Sequence, residues 1–366
     1  MRLHRFIGLT LLAGVPQSIA LAQWQPVVTG TDAELRGLSV VSANVVWASG
    51  TRGRVARTTN GGRTWQVDTV AGATALDLRA VHAIDARTAI AASAGEAERG
   101  QARIFRTSDG GASWSQVYST EQKGVFLDAM AFWDARHGIA LSDPVDGRFF
   151  LLLTSDGGRS WQRVPADRLP PTLEGEAAFA ASGSCLTVFG GSNVWIGTGA
   201  GAKARVFRST DRGRTWSVAE TPVHAGNSSS GIFSVAFRDA RHGVAVGGDY
   251  QQPKGAVPNV ALTDDGGRTW RVAKGALPGI YMSGVSFAGR SRAVAVGLAG
   301  TAASNDGGDS WTMVDTVAYN TVRFVSPTVG FAAGPRGRIA RWLAPRASAE
   351  GDQGHGGERE RHTGRQ

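Results

Sequence analysis

Thr154-Ser155-Asp156-Gly157-Gly158-Arg159-Ser160-Trp161 decides the fold, because its pattern, S/T-x-D/N-x-G-x-S/T-W, occurs six times along the 366-residue chain. The other copies read TTNGGRTW ending at Trp65, TSDGGASW at Trp114, STDRGRTW at Trp216, TDDGGRTW at Trp270 and SNDGGDSW at Trp311. Successive Trp residues lie 49, 47, 55, 54 and 41 apart, a spacing that accommodates four short strands and their loops. Each period therefore reads as one propeller blade. At the third position stand Asn60, Asp109, Asp156, Asp211, Asp265 and Asp306, whose side chains can accept hydrogen bonds from the backbone N–H groups of a tight turn. The Gly that follows supplies the positive φ of a hairpin, and the Trp closes the unit against a neighbouring sheet. Arg212 replaces the first Gly of the pair in one copy.

Upstream of the boxes runs a second repeat, FWDARHGIAL from Phe132, FRDARHGVAV from Phe237 and a weaker IDARTAIAA from Ile84. It reads as an inner strand, a turn and a second strand. His137 and His242 sit in those turns beside Gly, and no other His stands at metal-site spacing to them. Inner strands are expected near Leu38, Val81, Met130, Ala180, Val235, Val285 and Val322. The seventh unit ends in GRIARWL without a box, while Trp24-Gln25-Pro26-Val27-Val28 resembles the strand that follows each box. The expectation is an all-β, seven-bladed β-propeller of four-stranded antiparallel blades, its ring closed by the N-terminal strand.

Composition agrees. Hydrophobic residues make up 42% and charged residues 19%, with 50 Gly, 11 Trp and one Cys, which excludes disordered, collagenous and disulfide-stapled classes. Formal charge is +9, from 35 Arg and 4 Lys against 30 acids; so strong a skew to Arg points to codon composition as much as to an acidic partner, and nucleic acid is not the expected partner. Arg2 and Arg5, an apolar run from Phe6 to Val15 and Ala20-Leu21-Ala22 read as a signal peptide cleaved near Ala22/Gln23. The run is too short to span a bilayer. The expected organisation is a signal over 1–22, the propeller over 23–345 and a disordered polar tail over 346–366, in a periplasmic or secreted monomer. Cys185, followed by Leu186, Val188 and Phe189, reads as a buried residue.

The eight-residue pattern is identified as the Asp box of the bacterial neuraminidase repeat, which implies that the boxes lie on the outer hairpin, away from a ligand face. In GTRGRVARTTNGGRTW, in the DARHG hairpins, and in SDPVDGRFFLLLTSDGGRSW and GEAAFAASGSCLTVFGG, the chain resembles the photosystem II stability and assembly factor family and its secreted bacterial relatives. That resemblance implies a non-enzymatic assembly role in the plant and cyanobacterial members, and loose oxidoreductase or glycosyl hydrolase labels among the bacterial ones.

The only dinucleotide-like stretch, Gly197-Thr198-Gly199-Ala200-Gly201-Ala202, precedes another strand-like run, KARVFRST, where a cofactor site needs a helix N-terminus. No cofactor and no metal is expected. A sialidase needs an arginine triad and a Tyr nucleophile; Tyr118, Tyr250, Tyr281 and Tyr319 are the four tyrosines, and Arg338-Ile339-Ala340 is the nearest run to that family's Arg-Ile-Pro segment. A general glycoside hydrolase or lyase remains an alternative, with Asp128, Asp143, Asp146, Glu176 and Asp249 as candidate carboxylates on the face opposite the boxes. Glu176 is expected just before an apolar inner strand. On the same face Arg36, Arg52, Arg54, Arg79, Arg148, Arg205, Tyr250 and Arg338 form a candidate binding surface, Arg-rich and suited to an envelope protein or an acidic peptide or glycan. The leading expectation is a binding scaffold.

Overall fold

The computed structural model describes residues 23–254, 257–275 and 280–343. The signal and tail assignments lie outside the described residues. Seven four-stranded antiparallel sheets follow one another along the chain. In the first, Leu35–Val40, Val46–Gly50, Arg54–Thr58 and Gln66–Thr69 pair in sequence order, with Leu38 opposite Ala48, Ala48 opposite Ala56 and Ala56 opposite Val67. The first strands of the remaining blades are Asp77–Ala83, Leu127–Phe132, Leu186–Phe189, Ser230–Phe237, Gly284–Phe287 and Thr321–Ser326. Each first strand packs against the next, and the last returns to the first, so they line a central channel.

The ring closes as the terminal pattern implied. Gln23–Val27 pairs antiparallel with Ile339–Leu343, making the outer strand of blade 7 from the beginning of the chain. Trp24 anchors it: the ring lies 4.9 Å from that of Trp342, and its Nε1 donates to Thr301 Oγ1 of blade 6 at 3.0 Å. Two edges that would each expose unpaired backbone groups thereby satisfy one another.

The core is divided between blades. Trp47 and Val55 of blade 1 meet Leu78, Ala91 and Phe105 of blade 2, and the box residue Trp114 stands edge-on to Trp47 at 6.2 Å. Period-2 alternation allows this, since each interior sheet buries both faces against neighbours.

Within each box the Asp or Asn side chain organises the hairpin between the third and fourth strands. Asp156 Oδ1 accepts from Thr154 Oγ1 at 2.8 Å, Arg159 N at 2.9 Å and Ser160 N at 3.0 Å, and Oδ2 accepts from Ser160 Oγ at 2.6 Å. Asn60 keeps the Oδ1 pattern, but its Nδ2 donates to Thr64 Oγ1 at 2.8 Å where an Asp would accept. The DARHG turns use the same device. Asp134 Oδ1 accepts from the backbone N of Arg136 and of His137 at 2.8 Å, and His137 Nδ1 lies 2.9 Å from the carboxylate. These histidines are turn residues at the box end of the propeller.

One inner strand departs from expectation. The fourth begins at Leu186, not near Ala180, and residues 177–185 leave the sheet. Ala181 O accepts from Arg36 Nη1 of blade 1 at 3.2 Å, Ser182 O from Thr321 Oγ1 of blade 7 at 3.2 Å, and Ser184 Oγ bonds Ser234 Oγ of blade 5 at 2.7 Å. The segment crosses the channel and plugs it. Its small residues allow that: Gly183 has φ +64°, and a Cβ there would sit 3.1 Å from the Arg79 carbonyl oxygen.

Candidate functional site

Antiparallel order places the inter-blade connections and the loops between second and third strands at one end of the ring, opposite the boxes. There the plug floors a cavity of about 380 Å³, lined by Arg36, Arg79, Phe126, Asp128, Asp143, Ala178, Phe179, Ala180, Ala181, Phe233, Tyr250, Tyr281, Ser283, Leu298 and Asn320. Below the plug a second space of about 200 Å³ contains His82 and Arg323. Burial, and secondarily Arg323, push the His82 ring down to about 4, so it stays neutral there.

One wall of the upper cavity is aromatic. Phe179 of the plug stacks on Phe233 with ring centroids 3.9 Å apart, and Tyr281 stands edge-on to Phe233 at 4.7 Å. Tyr250 completes the wall at the lip, 6.1 Å from Phe233. The opposite wall is charged. Asp128 is 1% exposed and its Oδ2 has no hydrogen-bond partner, while Asp143 Oδ1 accepts from Ala178 N at 3.0 Å and so ties the plug to blade 3. Burial raises the Asp128 carboxyl well above the ordinary range, the neighbouring Asp143 charge adds to this, and Arg79 opposes it. Burial likewise pushes Asp143 up to about 6, against the hydrogen bond from Ala178. Burial and the proximity of two like charges both favour a shared proton over two carboxylates in this wall.

Asp128, Asp143, Arg36, Arg79 and Tyr250 are thus brought together. The other carboxylates are not. Glu176 lies just ahead of the plug in a buried ion pair with Arg205, with Arg205 Nε donating to Oε1 at 3.0 Å, Thr198 Oγ1 to Oε1 at 2.6 Å and Leu173 N to Oε2 at 2.9 Å. It precedes the plug, not a strand. Asp249 is consumed in a loop: Ser229 Oγ donates to it at 2.7 Å, Gln251 N at 2.9 Å and Asn227 Nδ2 at 3.0 Å. Asp146 stands exposed in the turn between Val145 and Arg148, with φ +52°.

The arginines are largely occupied too. Arg36 pairs with Glu34, Arg52 with Asp32, and Arg79 Nε with Asp77 Oδ2 at 2.7 Å. Arg148 donates to the Leu169 carbonyl, and Arg338 to that of Ala318 at 2.7 Å. Arg54 opens the third strand of blade 1, away from the cavity lining. Sequence reading had no local signal for Phe126, Phe179, Phe233, Leu298 and Asn320, which converge from blades 2 through 7, and it met Tyr281 only as a possible nucleophile.

Gly199 explains the dinucleotide-like stretch. It bridges Ala177 and Gly231 between blades 4 and 5, where a Cβ would lie 2.6 Å from the Gly231 Cα, and the strand Arg205–Ser209 follows. Cys185 is fully buried, and burial raises its thiol. Among the described residues no group of three His, Cys, Asp or Glu could hold a metal, and no helix is long and apolar enough to cross a membrane.

The fold and this axial cavity define a plugged seven-bladed propeller with a ligand-sized chamber on the face opposite its Asp boxes. Solved propellers share the fold at low identity. A structure of YCF48 bound to D1 peptide superposes with a TM-score of 0.62 at 16% identity, covering 90% of this chain and 100% of that one. YCF48 from Cyanidioschyzon merolae gives 0.64 at 16%, covering 87% and 98%. The WD40 repeats of RRP9 give 0.59 at 10%, covering 88% and 99%. No protein-family model matches the sequence, and no curated protein matches it.

Proposed function

We propose that this chain is an exported, non-catalytic binding propeller, a scaffold or assembly factor of the kind its resemblance to photosystem II assembly factors suggests, and that it holds a segment of a partner protein in the axial cavity. The observation that carries this reading is the plug. It turns an open channel into a floored chamber with one aromatic wall and one charged wall, of a size that takes a few side chains. The similar propeller described as bound to D1 peptide supports a peptide as the kind of ligand. The Arg-rich face is better described as the rim of this chamber, since Arg36, Arg52 and Arg79 are already paired.

A photo-crosslinking residue at the lip position Tyr250 should capture a discrete envelope protein, and the same residue at Thr210 on the box face should not. Leu298→Trp, at an exposed lip position, should abolish the Tyr250 adduct. Capture from Thr210 alone, or from neither position, would sink the proposal.

Glycoside hydrolysis is the second reading, favoured by one feature: burial raises the Asp128 carboxyl well above the ordinary range, the direction a general acid needs. It requires a second carboxylate across the scissile bond, whereas Asp143 adjoins Asp128 and is held by Ala178. Turnover of a glycan, abolished by Asp128→Asn, would establish it.

A further inference from the structure

Two arginines and two carboxylates line the cavity, and the arginines take their partners from outside the lining, which leaves the two acids over. Glu34 holds Arg36 and Asp77 holds Arg79, so the cations nearest Asp128 and Asp143 already have partners. Asp143 spends one oxygen on Ala178 N. Asp128 lines the cavity at 1% exposure with Oδ2 unpartnered, and a buried acceptor without a donor in a native fold calls for an explanation. The wall that completes the chamber is built from Phe179, Phe233, Tyr250 and Tyr281. Aromatic rings beside a desolvated carboxylate form a receptor for a cation, because the ring quadrupole and the acid attract the same group.

We propose that the partner segment delivers a Lys or Arg side chain to the unpartnered oxygen of Asp128. The inference rests on the peptide-binding reading above and names the chemistry of the occupant. It also reverses the polarity expected from the Arg-rich composition: the rim arginines are paired, and what stays unpartnered in the cavity wall is a buried acceptor.

Binding is then linked to a proton. The groups facing Asp128 and Asp143 are Arg79 and its partner Asp77 from blade 2, Cys185 from the end of the plug, and Arg36 and Tyr281 across the cavity. An arriving ammonium or guanidinium favours the ionised form that burial of the acid pair disfavours, so affinity rises with pH, by at most about tenfold per pH unit for one displaced proton.

The test uses the full chain on an array of pentapeptides with Lys, Arg, Glu or Phe at the centre and randomised flanks, each made with acetylated and with free N-termini. Peptides centred on Lys or Arg should be retained, acetylated or not, more tightly at pH 8 than at pH 5. Asp128→Asn, nearly isosteric, should weaken them at least tenfold with the thermal melt preserved. Should that variant fail to fold, Tyr250→Ala, at the exposed lip of the aromatic wall, should weaken the same peptides with the melt preserved, and unchanged retention would overturn the inference. Retention of Glu-centred peptides, lost in Arg36→Gln, would overturn the inference and leave the binding reading standing. Retention that follows the free N-terminus regardless of the central residue would overturn the assignment to a side chain. Retention of no peptide would overturn both.

Discussion

Glu176 and Arg205 illustrate how a residue attractive in sequence can be spent in structure. An acid beside an apolar run and an Arg at a strand start both suggest a site, yet the two bury one another. Removing one partner leaves a desolvated charge, so Glu176→Ala should cost about 3–5 kcal/mol, measured as the shift in urea midpoint. Asp143 behaves in the opposite sense. Its carboxyl is raised by burial from 3.8 to about 6, so the folded state retains protons that the unfolded chain releases, and stability falls as pH rises from about 4 through about 6. The box acids are partly desolvated, which pushes them up, but hydrogen bonds outweigh this and hold Asp156, Asp211, Asp265 and Asp306 at about 2; their contribution is lost as pH falls below about 4. Urea midpoints over a pH series separate the two windows. Asp143→Asn should make the decline between pH 4 and 6 shallower, the remainder belonging to Asp128, and leave the loss below pH 4 intact.

At the scale of elements, the Asp box is a self-contained hairpin whose residue types follow from its bonds. Asp156→Ala removes one acceptor group serving four donors, and a drop of about 1–3 kcal/mol is expected in thermal or urea unfolding. Asp156→Asn should retain most of that stability, because Asn60 already does this work with the hydroxyl bond reversed. Such local logic is legible from spacing alone. The plug is the contrasting element. Its sequence, AFAASGSC, offers small residues and one Gly but no periodicity that distinguishes a channel-crossing segment from the strand it resembles. What decides is contact with blades 1, 5 and 7, at positions far along the chain.

For the whole molecule, closure is the governing feature. Removing residues 23–27 would expose the edge Ile339–Leu343 and strip Trp24 from Trp342 and Tyr319. A chain beginning at Thr29 should unfold at lower urea with a broader transition, and should self-associate through the free edge, as light scattering would report. Trp24→Ala alone, with the edge still paired, should cost about 3–5 kcal/mol and leave the molecule monodisperse. The difference between the two variants separates packing from edge protection.

The number of blades, the place of each box and turn, the closing strand and the burial of Cys185 all follow from the order of residues, because hairpins and strand alternation are local and repeat. The cavity does not. Arg36, Arg79, Asp128, Asp143 and Tyr250 were visible as candidates on one face. Which of the candidates stayed open, which were consumed by Glu34, Asp77, Ala178 or one another, and which aromatic rings joined them became definite only in three dimensions. A propeller brings together residues that are tens to hundreds of positions apart, and the pairing of charges depends on those distances in space, which no local pattern encodes.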